Sequence, residues 1–143
     1  EIASCLVGSE MCIRDSLWKD PEARPRYAFV GCPHLTLNQL REWDLRVDTA
    51  LRAAGRDKLE IPLILCASPL VIDRLTPAQV SRMKKNGIHI SFLCGAMYMI
   101  NKVSASYPCI TNSNKLRTYS TARFYEDDEL LSYVVTGKKP QKA

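Results

Sequence analysis

Cys32 and His34 stand two residues apart in Gly31-Cys32-Pro33-His34, directly after the apolar run Tyr27-Ala28-Phe29-Val30. A thiolate there could ligate iron or act as a nucleophile, and an imidazole could act as a base, a ligand or a substrate contact. The plainer reading is that Pro33 fixes a tight turn, Cys32 packs, and His34 caps the following helix. Cys94 follows a second apolar run, Ile88 to Leu93, and could share a metal or cluster with Cys32; otherwise it is a small buried residue. A third group lies in the polar run Thr111 to Ser120. Its Asn112, Ser113, Lys115 and Arg117 are donors suited to a carboxylate or phosphate, with Arg123 a weaker member; a solvated loop is the alternative. Cys66, in an apolar run, and Cys109, after Pro108, read as core.

The elements that must position these residues follow from periodicity. A strand is expected at Arg26 to Val30, then the Gly31–His34 turn, then a helix from Leu37 to Ala54 capped by Thr36. Its apolar face is Leu37, Leu40, Trp43, Val47, Leu51 and Ala54, with Gly55 as terminator. Ile61 to Cys66 reads as a strand buried on both faces. A short helical turn is expected from Ser68 to Leu75, and a second helix from Pro77 to Asn86, capped by Thr76 and ended by Gly87. Ile88 to Leu93 is a third strand. Gly95 to Val103 reads as helical, Pro108 to Thr111 as a fourth short strand, and Glu126 to Thr136 as a closing helix with its acids in the first turn. Lys138 to Ala143 is a basic, flexible tail.

This order makes successive βαβ units, hence an α/β fold with a parallel sheet flanked by helices. Cys32, Cys66 and Cys94 then all lie at or beyond strand carboxyl ends, along one edge of the sheet. In α/β proteins that edge usually carries the chemistry.

Composition narrows the classes. With 143 residues, 46% hydrophobic and 24% charged, the chain can bury a core. No apolar run approaches the roughly 20 residues of a membrane span. A formal charge of +5, with no dense Lys/Arg block among aromatics, gives little support to nucleic-acid binding. There is no Walker loop, dinucleotide fingerprint, His-Glu-x-x-His or Gly-x-Ser-x-Gly elbow. Wide, uneven cysteine spacing without Cys-x-x-Cys fits a reducing, cytoplasmic compartment better than a disulfide scaffold or zinc ribbon. Residues 1–16 stand apart. The run Cys5 to Ser16 resembles a translated sequencing-adapter read rather than an amphipathic leader, so 1–16 is set aside as an unstructured artefact and 17–143 is taken as the body.

Three segments together resemble the aconitase X family. They are Val30-Gly31-Cys32-Pro33-His34 with Leu35 to Leu40, Ile90-Ser91-Phe92-Leu93-Cys94, and Thr111-Asn112-Ser113-Asn114-Lys115 continuing through Tyr119. Phe92-Leu93 stands where many members carry Asp-Thr. The resemblance covers about Tyr27 to Gly137 and implies a hydro-lyase that dehydrates a small anionic hydroxy acid through an iron–sulfur or iron centre. It makes Cys32 and Cys94 metal ligands and turns Ser113 and Lys115 towards the substrate, with Asn112 nearby; together with the reading of the residues, His34, Ser113 and Lys115 are the catalytic candidates and Asn112, Ser113, Lys115 and Arg117 the substrate contacts. It also makes the chain a C-terminal fragment of a larger aconitase-like catalytic domain. The upstream catalytic region and a swivel domain or small subunit would then be its partners. The competing class is a non-catalytic α/β module whose Asn112–Arg117 run binds a small anion, with structural cysteines.

Overall fold

A computed structural model describes residues 20, 22–100 and 106–141. Residues 1–16, and the end of the helix expected to reach Val103, lie outside the described residues. The elements are β1 (Tyr27–Leu35), α1 (Leu37–Ala53), β2 (Leu63–Ala67), α2 (Pro69–Ile72), α3 (Pro77–Asn86) and β3 (Ile88–Ser91). They continue as α4 (Gly95–Ile100), β4 (Cys109–Thr111), α5 (Asn114–Tyr119), β5 (Arg123–Phe124) and α6 (Asp127–Thr136). All the strand pairings are parallel, in the order β3-β2-β1-β4-β5. The expected α/β class and parallel sheet are therefore what the chain forms.

Capping explains where the helices begin. Gln39 N donates to Thr36 Oγ1 at 3.2 Å, and Thr36 N donates to Gln39 Oε1 at 2.9 Å. The same reciprocal pair recurs between Thr76 and Gln79 at α3, where Pro77 occupies the first turn. Each box satisfies two backbone N–H donors that a helix start would otherwise leave open. Gly87 ends α3 in the left-handed region, at φ 95°, where a side chain would be strained.

Strand alternation sorts side chains onto two faces. Ala28, Val30, Leu63, Leu65, Ile88 and Ile110 join the main core with Leu40, Trp43, Val47 and Leu51 of α1, Met83 of α3, and Leu130 and Val134 of α6. Tyr27, Phe29, Cys66 and Cys109 point the other way, into a smaller cluster with Leu116 of α5 and Tyr98 of α4. A polar seam joins α1 to α3. The guanidinium of Arg82 grips both carboxylate oxygens of Asp44, which is fully buried, and Asn86 Nδ2 donates to Asp48 Oδ1 at 3.2 Å. On the opposite flank of α1, Arg46 bridges to Asp128 of α6 at 2.7 Å.

Four local expectations are corrected. The Gly31–His34 turn is the irregular end of β1, which regains its pairing at Leu35 opposite Ala67. Ser91 ends β3, so Cys94 lies three residues beyond it rather than at its tip. The polar run after Thr111 contains a six-residue helix, α5. A two-residue strand, β5, follows it and was too short to show any periodicity. Among the described residues no helix is long and apolar enough to cross a membrane.

Removing Arg82 leaves the buried Asp44 carboxylate without its partner. Arg82→Ala should cost about 2 kcal/mol, less than for a fully enclosed pair because Arg82 is 37% exposed. Replacing Asp44 and Arg82 together by leucine should recover most of that loss; urea titration of the three variants gives the comparison. A second test concerns Cys109, whose thiol burial pushes from 9.0 up to about 12. The unfolded thiol ionises first, so this residue's contribution is intact below pH 9 and is lost as pH rises from 9 towards 12. Cys109→Ala should make alkaline unfolding shallower in that window, as read by circular dichroism.

Candidate active site

The chain winds from β1 through α1 to β2 on one side, and from β4 through α5 to β5 on the other. Adjacent strands β1 and β4 therefore diverge at their carboxyl ends. This is the switch point of a doubly wound sheet, the crevice in which such folds bind ligands. Two of the three chemistry-bearing segments leave the sheet here, and the third is folded back towards it.

At the end of β1, Gly31 has φ 125°, and a Cβ there would lie 2.5 Å from the Cys66 carbonyl oxygen. Only glycine lets β1 run this close to β2. The Cys32–Pro33 peptide is cis. Cys32 is half-buried against the Phe29 and Cys66 cluster, while Pro33 and His34 are exposed.

At the end of β4, two buried hydroxyls reach across to β1. Thr111 Oγ1 donates to the Phe29 carbonyl at 2.7 Å and accepts from Ser113 N at 3.1 Å. Ser113 Oγ donates to the Cys32 carbonyl at 2.9 Å and accepts from Leu116 N at 3.2 Å, capping α5. Ser113 is thus engaged inside the fold. Asn112 Nδ2 donates to Asp127 Oδ1 at 2.8 Å, and the Arg117 guanidinium lies over the Phe124 ring at 4.7 Å. Lys115 is exposed.

Beyond β3, Leu93 N donates to Ser91 Oγ at 3.1 Å, and that hydroxyl pairs with Tyr98 Oη at 2.8 Å. A Cβ on Gly95 would lie 2.8 Å from both Phe29 and Leu116. That contact draws the start of α4 from the sheet edge back over β1, carrying the exposed Cys94 with it. Cys66, buried in β2, donates its thiol to the Leu93 carbonyl at 3.0 Å. Its thiol is pushed up to about 11, first by burial and then by the neighbouring Cys94 and Cys32. The Cys66 thiol thus lies within electrostatic reach of the thiols of two other segments, Cys94 and Cys32.

These donors are soft and suit iron in type. They do not close a site: among the described residues no group of three or more His, Cys, Asp or Glu is arranged to hold a metal ion. Arg123 is elsewhere. It opens β5 at the sheet's amino end, in a cleft with Arg24, Lys139, Glu22 and Tyr133. Arg24 and Lys139 there face Glu60 at 3.1 Å and Glu22 at 3.9 Å. Sequence reasoning did not single out Thr111, whose hydroxyl is the innermost link between β4 and β1. Its position as the last residue of a strand facing the switch point was the available signal.

The fold defines a doubly wound α/β unit with its candidate site at the carboxyl edge. No protein-family model matches the chain, and no characterised protein matches it by sequence. Among solved structures it is similar to Thermococcus kodakaraensis aconitase X in its holo-form, with a TM-score of 0.58 and 22% identity. The match covers 87% of this chain and 31% of that one. The likeness is one of fold, and this chain spans less than a third of its neighbour's length.

Thiol alkylation at pH 8 tests this arrangement. Cys94, exposed, and Cys32, half-buried, should react with iodoacetamide in the folded protein. Cys66 and Cys109, buried and held protonated at that pH, should react only in denaturant. Peptide mass spectrometry reads all four sites.

Proposed function

We propose that this chain is part of an aconitase X-type hydro-lyase that dehydrates a small hydroxy acid at the β1–β4 switch point. The observation that carries this reading is convergence. The Gly-Cys-Pro-His segment at the irregular end of β1 and the Thr-Asn-Ser-x-Lys segment that begins at the last residue of β4 flank one crevice, and Gly95 folds the Cys94 segment towards it. In this reading Cys32 and Cys94 would supply two thiolate ligands to an iron or iron–sulfur centre. Further ligands would come from an upstream catalytic region, and a swivel domain or small subunit would close the site. Such a centre, when bound, supplies Lewis acidity towards a hydroxyl oxygen.

The chain's own residues divide the remaining work. Lys115 is exposed beside the crevice and would hold the substrate carboxylate, with Asn112 and Arg117 lining the approach. His34, exposed one residue beyond the cis peptide, would take the proton from the carbon next to the one that loses hydroxide. Elimination then balances as loss of one water: the C–H electron pair forms the new double bond, and the C–O bond breaks. Ser113, in spite of its place in the motif, would serve the site from within by holding the turn.

The second reading is a non-catalytic module binding a small anion at Lys115 and its neighbours. It is favoured by the absence of a three-ligand group among the described residues. Anaerobic purification of the full parent protein separates the two. The hydro-lyase reading expects a brown protein that loses colour and iron in Cys32→Ser and in Cys94→Ser, and loses dehydration of a hydroxy acid by at least about 100-fold. A colourless protein that binds a carboxylate equally well with and without those cysteines would establish the module instead.

A further inference from the structure

We propose that Thr111 and Ser113 are positioning residues that fix the Cys32 turn against β4, setting where the Cys32 thiol stands at the switch point. The inference rests on the reading of Cys32 as the working thiol of the site, although its test requires no metal.

Backbone pairing between β1 and β4 runs Tyr27 with Cys109, Ala28 with Ile110 and Phe29 with Thr111. Past that point the strands part, and buried backbone groups need other partners. Both partners come from side chains of the β4 segment. A hydroxyl offers one donor and two acceptor positions. Thr111 directs its donor to the Phe29 carbonyl and accepts from Ser113 N. Ser113 directs its donor to the Cys32 carbonyl and accepts from Leu116 N. Each hydroxyl therefore holds β1 with its hydrogen and its own segment with a lone pair. Thr111 is fully buried and Ser113 is 5% exposed, so water cannot readily take over either role.

The other side of the turn is fixed by packing. Gly31 lies so close to Cys66 that no Cβ fits between them. Cys32 is thus held one residue beyond a steric stop on β2 and by a hydrogen bond from β4. Each restrains a different direction. Removing the hydroxyl releases the Cys32 carbonyl while leaving the contact with β2 in place.

The rate of Cys32 alkylation by iodoacetamide, divided by that of Cys94 in the same sample, reads this position. Ser113→Ala and Thr111→Val should each raise the ratio about fivefold, and Ser113→Thr and Thr111→Ser should restore it. Ser120→Ala is the control, because its hydroxyl serves only the far end of α5, bonding to Leu116 O and Ala122 N. It should leave the ratio unchanged. Thermal melts accompany each variant, and Thr111→Val, which keeps the side-chain volume, decides the matter should Ser113→Ala not fold. An unchanged ratio in the folded hydroxyl deletions overturns the proposal. So does an equal rise in Ser120→Ala, or loss of the fold in both deletions, since these assign the hydroxyls to general stability. The result is independent of colour or iron content, so it stands or falls apart from the hydro-lyase reading.

Discussion

The hydrogen bond from Thr111 Oγ1 to the Phe29 carbonyl closes the point where the two halves of the sheet diverge. The segments that carry Cys32 and Lys115 both leave the sheet at that closure. On one side β1 continues into Gly31, Cys32 and His34; on the other β4 continues into Asn112, Ser113 and Lys115. A parallel pair that stopped pairing here without side-chain help would leave buried carbonyls exposed to each other's field and to intruding water. Two hydroxyls two residues apart carry the pairing a step further than the backbone can, and they do so toward the half-buried thiol.

The two faces of the sheet contribute unequally to that arrangement. α1, α3 and α6 build a thick layer, filled by Leu40, Trp43, Val47, Met83, Leu130 and Val134. Among the described residues, the opposite face is covered by two six-residue helices and an aromatic group in which Phe29 meets Tyr98 at 5.7 Å. Parallel sheets need cover on both faces. Here the thin side is also the side onto which Cys66 and Cys109 point. The thick layer anchors the strands, so their ends are held from behind while the opposite face stays shallow enough for thiols to approach one another. The Asp44–Arg82 pair belongs to the anchoring side. It fixes the register of α3 against α1 without contributing to the candidate site.

Much of this was legible in the chain. Thr36 with Gln39, and Thr76 with Gln79, are capping boxes three residues apart, so both long helices announce their starts. The apolar strand around Leu63 is visible because a parallel strand buried on both faces loses alternation, whereas the edge strand at Ile88 exposes His89 and shows as a short apolar run after Gly87. Strand ends then collect Cys32, Cys66 and Cys94 on one edge. Other features were hidden for physical reasons. α5 buries a single residue, Leu116, so a run of amides and hydroxyls reads as loop. β5 has two residues and no period. The extended course of Gly31 to Leu35 is set by the close approach to Cys66 and the renewed pairing at Ala67, contacts made by a strand some thirty residues away. That β4 lies beside β1 is a tertiary outcome, and local pattern has nothing to say about it.

The run from Thr111 to Arg117 shows how one motif divides between structure and presentation. Helical geometry after the cap places Leu116 inward, three residues from Ser113, and leaves Lys115 outward. Thr111 and Ser113 face β1, Asn112 faces Asp127, and Arg117 lies on Phe124. Each residue whose side chain holds the scaffold alternates with one that reaches outward or sideways. A motif of this composition resembles a uniform anion-binding loop when read as a list of donors. Folded, its hydroxyls serve the strand junction, Asn114 and Lys115 are exposed, and its two cations differ: Lys115 faces solvent on a short, well-capped helix while Arg117 lies over Phe124. In the proposed reading, a substrate carboxylate meeting Lys115 would be placed relative to Cys32 by the same hydroxyl of Ser113, which caps the lysine's helix and holds the cysteine's carbonyl.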